Sequence, residues 1–123
     1  MPHKILVIDD DKINVTLVKF GLAEQNYSVV FAYNGEEGIV KLKKEKPDLI
    51  VLDIQMPKMN GYEFMNELKS SPEFSQIPVI MLTANDVLED VFKVEGVKSY
   101  FVKPVNLPGL VKKIKECIGP NPT

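Results

Sequence analysis

Five residues scattered through the 123-residue chain place reactive side chains at the ends of short apolar runs. Asp9 and Asp10 follow Ile5–Ile8, Asp53 closes Leu49–Leu52, Thr83 follows Val79–Leu82, and Lys103 follows Tyr100–Val102. Each run is short and mostly rich in branched residues, which predicts a strand buried on both faces. In a parallel sheet the carboxyl ends of the strands share one edge, where ligands of open α/β folds bind. Three carboxylates would therefore meet. At ~4 Å and an effective dielectric of about 20, each pair repels by roughly 4 kcal/mol, and one lysine does not balance three aspartates. The cluster needs a cation, and hard oxygen donors in a compact, hydrated site favour Mg²⁺, with Mn²⁺ next. Taken singly, an Asp after a strand is a turn former and a Thr or a Lys before Pro is ordinary loop chemistry. Their coincidence at four strand ends is what points to a site.

The elements that must position these residues alternate along the chain. After the first strand, Leu17, Val18, Gly21 and Leu22 form the stripe of a helix packing on a sheet, with Asn26 as its left-handed stop. Val29–Ala32 reads as a second strand, and Asn34 with Glu37 has the spacing of a helix cap, with Ile39 and Leu42 facing inward. Asn60 and Glu63 repeat that spacing after the third strand, ahead of a stripe of Phe64, Met65 and Leu68. A short fourth helix is predicted over Val87–Phe92, stopping near Gly96, before the fifth strand at Tyr100–Val102. Asn106 caps a last helix with Pro108 in its first turn and Leu110, Val111, Ile114 and Ile118 inward. Five alternations of strand and helix imply a parallel sheet covered on both faces with right-handed crossovers.

Composition narrows the function classes. The length suits one domain, 1–123 with a core of about 4–118, and no linker or internal repeat is visible. No apolar run approaches the ~20 residues of a membrane span, and Met1–Lys4 leads straight into a strand with no signal peptide. The net charge is −2 and all 15 basic residues are Lys, which leaves neither a basic footprint nor Arg readout for direct nucleic-acid binding. A single cysteine, Cys117, excludes an internal disulfide and fits a cytoplasmic setting. Cys117 is expected to be a packing residue, Asp11 has no assigned role, and His3 has no evident partner.

The motifs Ile-Asp-Asp-Asp at 8–11, Pro-Asp-Leu-Ile-Val-Leu-Asp at 47–53, Met-Pro and Gly at 56, 57 and 61, Leu-Thr-Ala at 82–84 and Tyr-Phe-Val-Lys-Pro at 100–104 together resemble the receiver domain of two-component response regulators. The resemblance runs from Ile5 to Ile118. It implies a flavodoxin-like three-layer α/β sandwich, a five-stranded parallel sheet of order 2-1-3-4-5 with five helices, an order of which receiver proteins are a known instance. It also implies that Asp53 is phosphorylated by a sensor histidine kinase or histidine phosphotransfer protein. Asp10, Asp53 and the backbone carbonyl of Gln55 would bind Mg²⁺, with Asp9 acting largely through water. Thr83 would hydrogen-bond the phosphoryl group, Lys103 would pair with it, and Tyr100 would change rotamer on activation. The Lys103–Pro104 peptide is expected to be cis. Ala84 would leave room for the phosphoryl group, and Gln55 and Asn85 sit where the family tunes its lifetime. Such a domain is no enzyme beyond its own phosphorylation and dephosphorylation, and it signals through the face of the fourth helix, fifth strand and fifth helix to a downstream partner or fused output domain. Charge neutralisation around a positioned nucleophile is what in-line phosphoryl transfer requires.

Two other functions compete. An aspartate-nucleophile phosphatase of the haloacid-dehalogenase type wants a second Asp two residues after the nucleophile, where this chain has Gln55, and it wants a cap domain. A receiver-like interaction module without phosphorylation need not keep the acidic pair, Asp53, Thr83 and Lys103 together. One departure from the family stands out: twelve residues separate Thr83 from Gly96, about two fewer than expected, so the fourth helix or its leading loop should be shortened. The chain is consistent with a stand-alone regulator or with a receiver excised from a longer protein.

Overall fold

The computed structural model describes residues 2–54, 56, 59–83 and 96–119. Its elements are β1 (Lys4–Ile8), α1 (Lys12–Glu24), β2 (Ser28–Ala32), α2 (Gly35–Glu45), β3 (Leu49–Asp53), α3 (Gly61–Lys69), β4 (Val79–Thr83), β5 (Val97–Val102) and α4 (Leu107–Ile118). All strand pairings are parallel, in the order β2-β1-β3-β4-β5. This is the flavodoxin-like order expected. Four helices lie among the described residues; the helix predicted over 87–92, with its shortening, lies outside them.

Strand alternation sorts the core into two layers. Leu6, Ile8, Ile50, Leu52, Val79 and Met81 point to one face, where Leu42 of α2 and Phe64, Met65 and Leu68 of α3 cover them. Ile5, Val7, Leu49, Val51, Ile80 and Leu82 point to the other, under Val15, Val18 and Leu22 of α1 and Leu110 and Ile114 of α4. The central strands β3 and β4 are buried at every position, as their unbroken apolar runs require. At the edge, β5 is only half-buried and begins at Val97, three residues before the predicted start. Lys98 and Ser99 interrupt the apolar run there, because an edge strand tolerates exposed polar side chains that a central one does not.

The helix ends follow their capping residues. Asn34 accepts from the Glu37 N–H, Asn106 accepts from the Gly109 N–H, and Asn60 and Glu63 form a reciprocal capping box. Asn26 takes the left-handed conformation after α1 at φ 66°. One expected position is corrected: Leu17 is 53% exposed. The inward face of α1 is Asn14, Val15, Val18 and Leu22, and at ~100° per residue Leu17 falls about 60° past its edge. His3 also has a partner, its Nδ1 lying 3.6 Å from Asp48 Oδ2.

Candidate functional site at the carboxyl edge

Four neighbouring strands end together. Asp53 is the last residue of β3 and is paired with Leu82, and Thr83 is the last of β4. Asp9, just beyond β1, donates its N–H to the Ala32 carbonyl at 3.1 Å, and Lys103, just beyond β5, donates its N–H to the Thr83 carbonyl at 2.7 Å. The reactive side chains thus stand on strand ends held by the sheet ladder. After Asp53 the chain folds back so tightly that the Gly61 N–H reaches the Ile54 carbonyl at 2.9 Å. A Cβ on Gly61 would lie 2.8 Å from Ile54 Cα and 3.1 Å from the Asp53 carbonyl oxygen, so only glycine lets α3 begin against the strand end that carries Asp53.

Asp9, Asp10 and Asp53 each bring one carboxylate oxygen within 4.8 Å of the others. Asp9 is wholly buried, Asp53 is 3% exposed, and Asp10 faces solvent. Lys103 Nζ lies 2.9 Å from Asp9 Oδ2, 3.0 Å from Asp9 Oδ1 and 3.3 Å from Asp53 Oδ2. Burial pushes the Lys103 ammonium toward deprotonation, but the Asp9 and Asp53 carboxylates together outweigh it and hold its pKa above the ordinary lysine value. The lysine stays charged. Three carboxylates against one ammonium leave net negative charge among hard oxygen donors, a set that fits a divalent cation such as Mg²⁺. The Lys103–Pro104 peptide is cis, as expected.

Thr83 is fully buried, and by strand alternation it points to the same face as Met81. Tyr100 is paired with Met81 and packs on that face, which makes it the diagonal neighbour of Thr83. Gln55, Ala84 and Asn85 lie outside the described residues.

Two residues of this neighbourhood have roles that sequence reasoning did not assign. Asp11 is the N-cap of α1, accepting from the Ile13 N–H at 3.0 Å and the Asn14 N–H at 3.3 Å. Asn14 is buried and donates from Nδ2 to Asp9 Oδ2 at 2.6 Å. The signal for it in the chain is an amide on a helix face that is otherwise apolar at Val15, Val18 and Leu22.

The chain matches the response regulator receiver domain over residues 5–115. It belongs to that family. The receiver is 42% identical over 108 residues to the alkaline phosphatase synthesis transcriptional regulatory protein PhoP of Bacillus subtilis, a match covering 85% of this chain and 43% of PhoP. It thus spans less than half the length of that relative. It is 31% identical to the polar-differentiation response regulator DivK of Brucella anthropi, over 97% of this chain and 98% of DivK. Among solved structures, chemotaxis protein CheY4 of Vibrio cholerae superposes with a TM-score of 0.88 at 29% identity, covering 95% of this chain and 99% of CheY4. The protein is accordingly a receiver domain of two-component signalling, with an acidic pocket compatible with a divalent cation and a phosphoacceptor aspartate. Among the described residues no helix is long and apolar enough to cross a membrane.

Proposed function

We propose that Asp53 is the phosphoacceptor, taking a phosphoryl group from a phosphohistidine on a sensor kinase or phosphotransfer protein. The observation that carries this is the placement of Asp53: buried at the end of a central strand, 3.3 Å from Lys103 Nζ and within 4.8 Å of two further carboxylates. An Asp53 carboxylate oxygen attacks phosphorus in line as the bond to the donor imidazole nitrogen breaks; with a proton on its other ring nitrogen the imidazole leaves as neutral histidine, and Asp53 becomes an acyl phosphate. Mg²⁺, or Mn²⁺ in its place, would be held by Asp10 and Asp53 with Asp9 and the Gln55 carbonyl, and when bound it supplies the charge neutralisation that a dianion needs to approach. Lys103 already stands beside Asp53 to pair with the incoming oxygens. Thr83 would hydrogen-bond the phosphoryl group, and its diagonal neighbour Tyr100 would respond, shifting the population of the face that includes β5 and α4 toward the partner-binding form. Here the domain is an acceptor and switch, not an enzyme that turns over a substrate.

An apolar surface on α1 supports a docking site for the donor. Ile13, Leu17 and Phe20 form an exposed apolar stripe on α1, and Ile13 and Leu17 line a groove of about 300 Å³ with Lys103 and Pro104. A donor helix seated there would bring its histidine to the acidic edge. A cytoplasmic setting and a downstream protein partner or fused output domain complete this role, with no part for direct nucleic-acid binding.

The test is intact-mass and peptide mass spectrometry after incubation with acetyl phosphate and Mg²⁺. Wild type should gain one phosphoryl group on the peptide containing Asp53, and Asp53→Asn should gain none. Labelling of the variant at the wild-type level would remove Asp53 from the role.

A further inference from the structure

Asn14 is the polar exception on the inward face of α1. It is 7% exposed and shares that face with Val15, Val18 and Leu22. A buried amide is costly unless its hydrogen bonds are made, and here Nδ2 donates to Asp9 Oδ2 at 2.6 Å. On the other side of the carboxylate, the Asp11 N–H donates to Asp9 Oδ1 at 2.9 Å. Asp9 is therefore gripped at both oxygens by the first turn of α1, and Asp11 secures that turn by capping it. Lys103 Nζ reaches the same two oxygens at 2.9 and 3.0 Å. The rotation of the Asp9 carboxylate is thus set by α1 before any ion or phosphoryl group arrives.

We infer that Asn14 is a positioning residue for the cation site, holding Asp9 in the one orientation from which it serves the ion and Lys103 together. This rests on the proposal that the acidic cluster takes Mg²⁺. A hydrophobic residue of similar volume would fill the space between α1 and β1 equally well, so packing alone does not explain an amide here. Hydrogen-bond partners that orient metal-binding carboxylates typically change metal affinity by about 10–100-fold when removed. Asn14 touches Asp9 and acts through it, so its loss should show itself as weaker ion binding and not as a slower step once the ion is saturating.

The experiment is a Mg²⁺ titration of wild type and Asn14→Leu, followed by the backbone amide signals of Asp9, Asp10 and Asp53, with acetyl phosphate labelling rates measured at limiting and saturating Mg²⁺. Saturable shifts in wild type test the cation site itself; their absence would overturn that proposal and this one with it. Given binding in wild type, Asn14→Leu should bind Mg²⁺ about 10-fold more weakly and regain most of its labelling rate at saturating ion. A folded Asn14→Leu protein with affinity within about twofold of wild type would leave Asn14 a packing residue and overturn the inference. Should that variant not fold, the side-chain amide signal of Asn14 in wild type decides. It should move as Mg²⁺ is added, and a fixed signal while Asp9 and Asp53 shift would overturn the inference.

Discussion

The two edges of the sheet use similar side chains to opposite ends. At the amino edge, Lys4 Nζ meets Glu45 Oε1 at 2.9 Å, the Lys4 N–H donates to Asp48 Oδ2 at 2.7 Å, and His3 lies 3.6 Å from the same carboxylate. Those charges are partly solvated and paired off locally, each carboxylate with its own donor. At the carboxyl edge Asp9 and Asp53 are buried, Asp10 stands beside them, and one lysine serves the first two. Hydrated charge that is paired off locally adds little to stability and does no chemistry. Unbalanced charge held in the core by strand ends is a standing demand for a cation, and that demand separates a functional edge from a structural one.

Breaking the single positive charge at the functional edge should have the largest effect. Lys103→Met leaves the Asp9 carboxylate buried without its ammonium, and thermal or urea melts in EDTA should show a loss of about 3 kcal/mol. Lys4→Met at the other edge should cost less than about 1 kcal/mol. Equal losses would erase the contrast. The Lys103 contribution also has a pH signature. Its folded pKa is raised, so this stabilisation is present below the ordinary lysine value and is lost as pH rises through the higher folded one. The alkaline limb of the wild-type stability curve should flatten in Lys103→Met.

Removing a negative charge from the same edge should do the reverse. Asp10→Ala relieves like-charge repulsion, so its melting temperature without metal should equal or exceed that of wild type, while its response to added Mg²⁺ should shrink. A large loss of metal-free stability would make Asp10 a structural residue.

The smallest effect belongs to the amino edge. Tyr27 is buried beneath α1 and α4, and its hydroxyl has no hydrogen-bond partner among the described residues. Tyr27→Phe should leave stability unchanged or raise it by up to about 1 kcal/mol, since it removes an unpaired polar atom and keeps the ring. Urea melts would check this, and a clear loss would reveal a partner for the hydroxyl.

Much of this contrast is legible in the chain. The central strands announce themselves because full burial demands unbroken apolar runs, and the residues just beyond them must then share an edge. The Asn caps of α2, α3 and α4 are equally direct, because each offers a side-chain oxygen to a backbone N–H three residues on. Less legible is whatever depends on partial burial. The start of edge strand β5 at Val97 is disguised by exposed Lys98 and half-buried Ser99. Leu17 is outward because the inward stripe of α1 begins at Asn14, a residue whose burial makes sense only once Asp9 is placed beside it. The pairing of Lys103 with both Asp9 and Asp53 likewise needs three dimensions, since 94 and 50 residues separate the partners.

The most direct test of buried, unbalanced charge at one edge only is a Mg²⁺ titration of the wild-type protein followed by backbone NMR at both edges. The amide signals of Asp9, Asp10, Asp53 and Lys103 should shift and saturate with the ion, while those of Lys4, Glu45 and Asp48 stay in place. Equal shifts at the two edges, or none at Asp9 and Asp53, would contradict the claim that this receiver holds a cation site where its strands end.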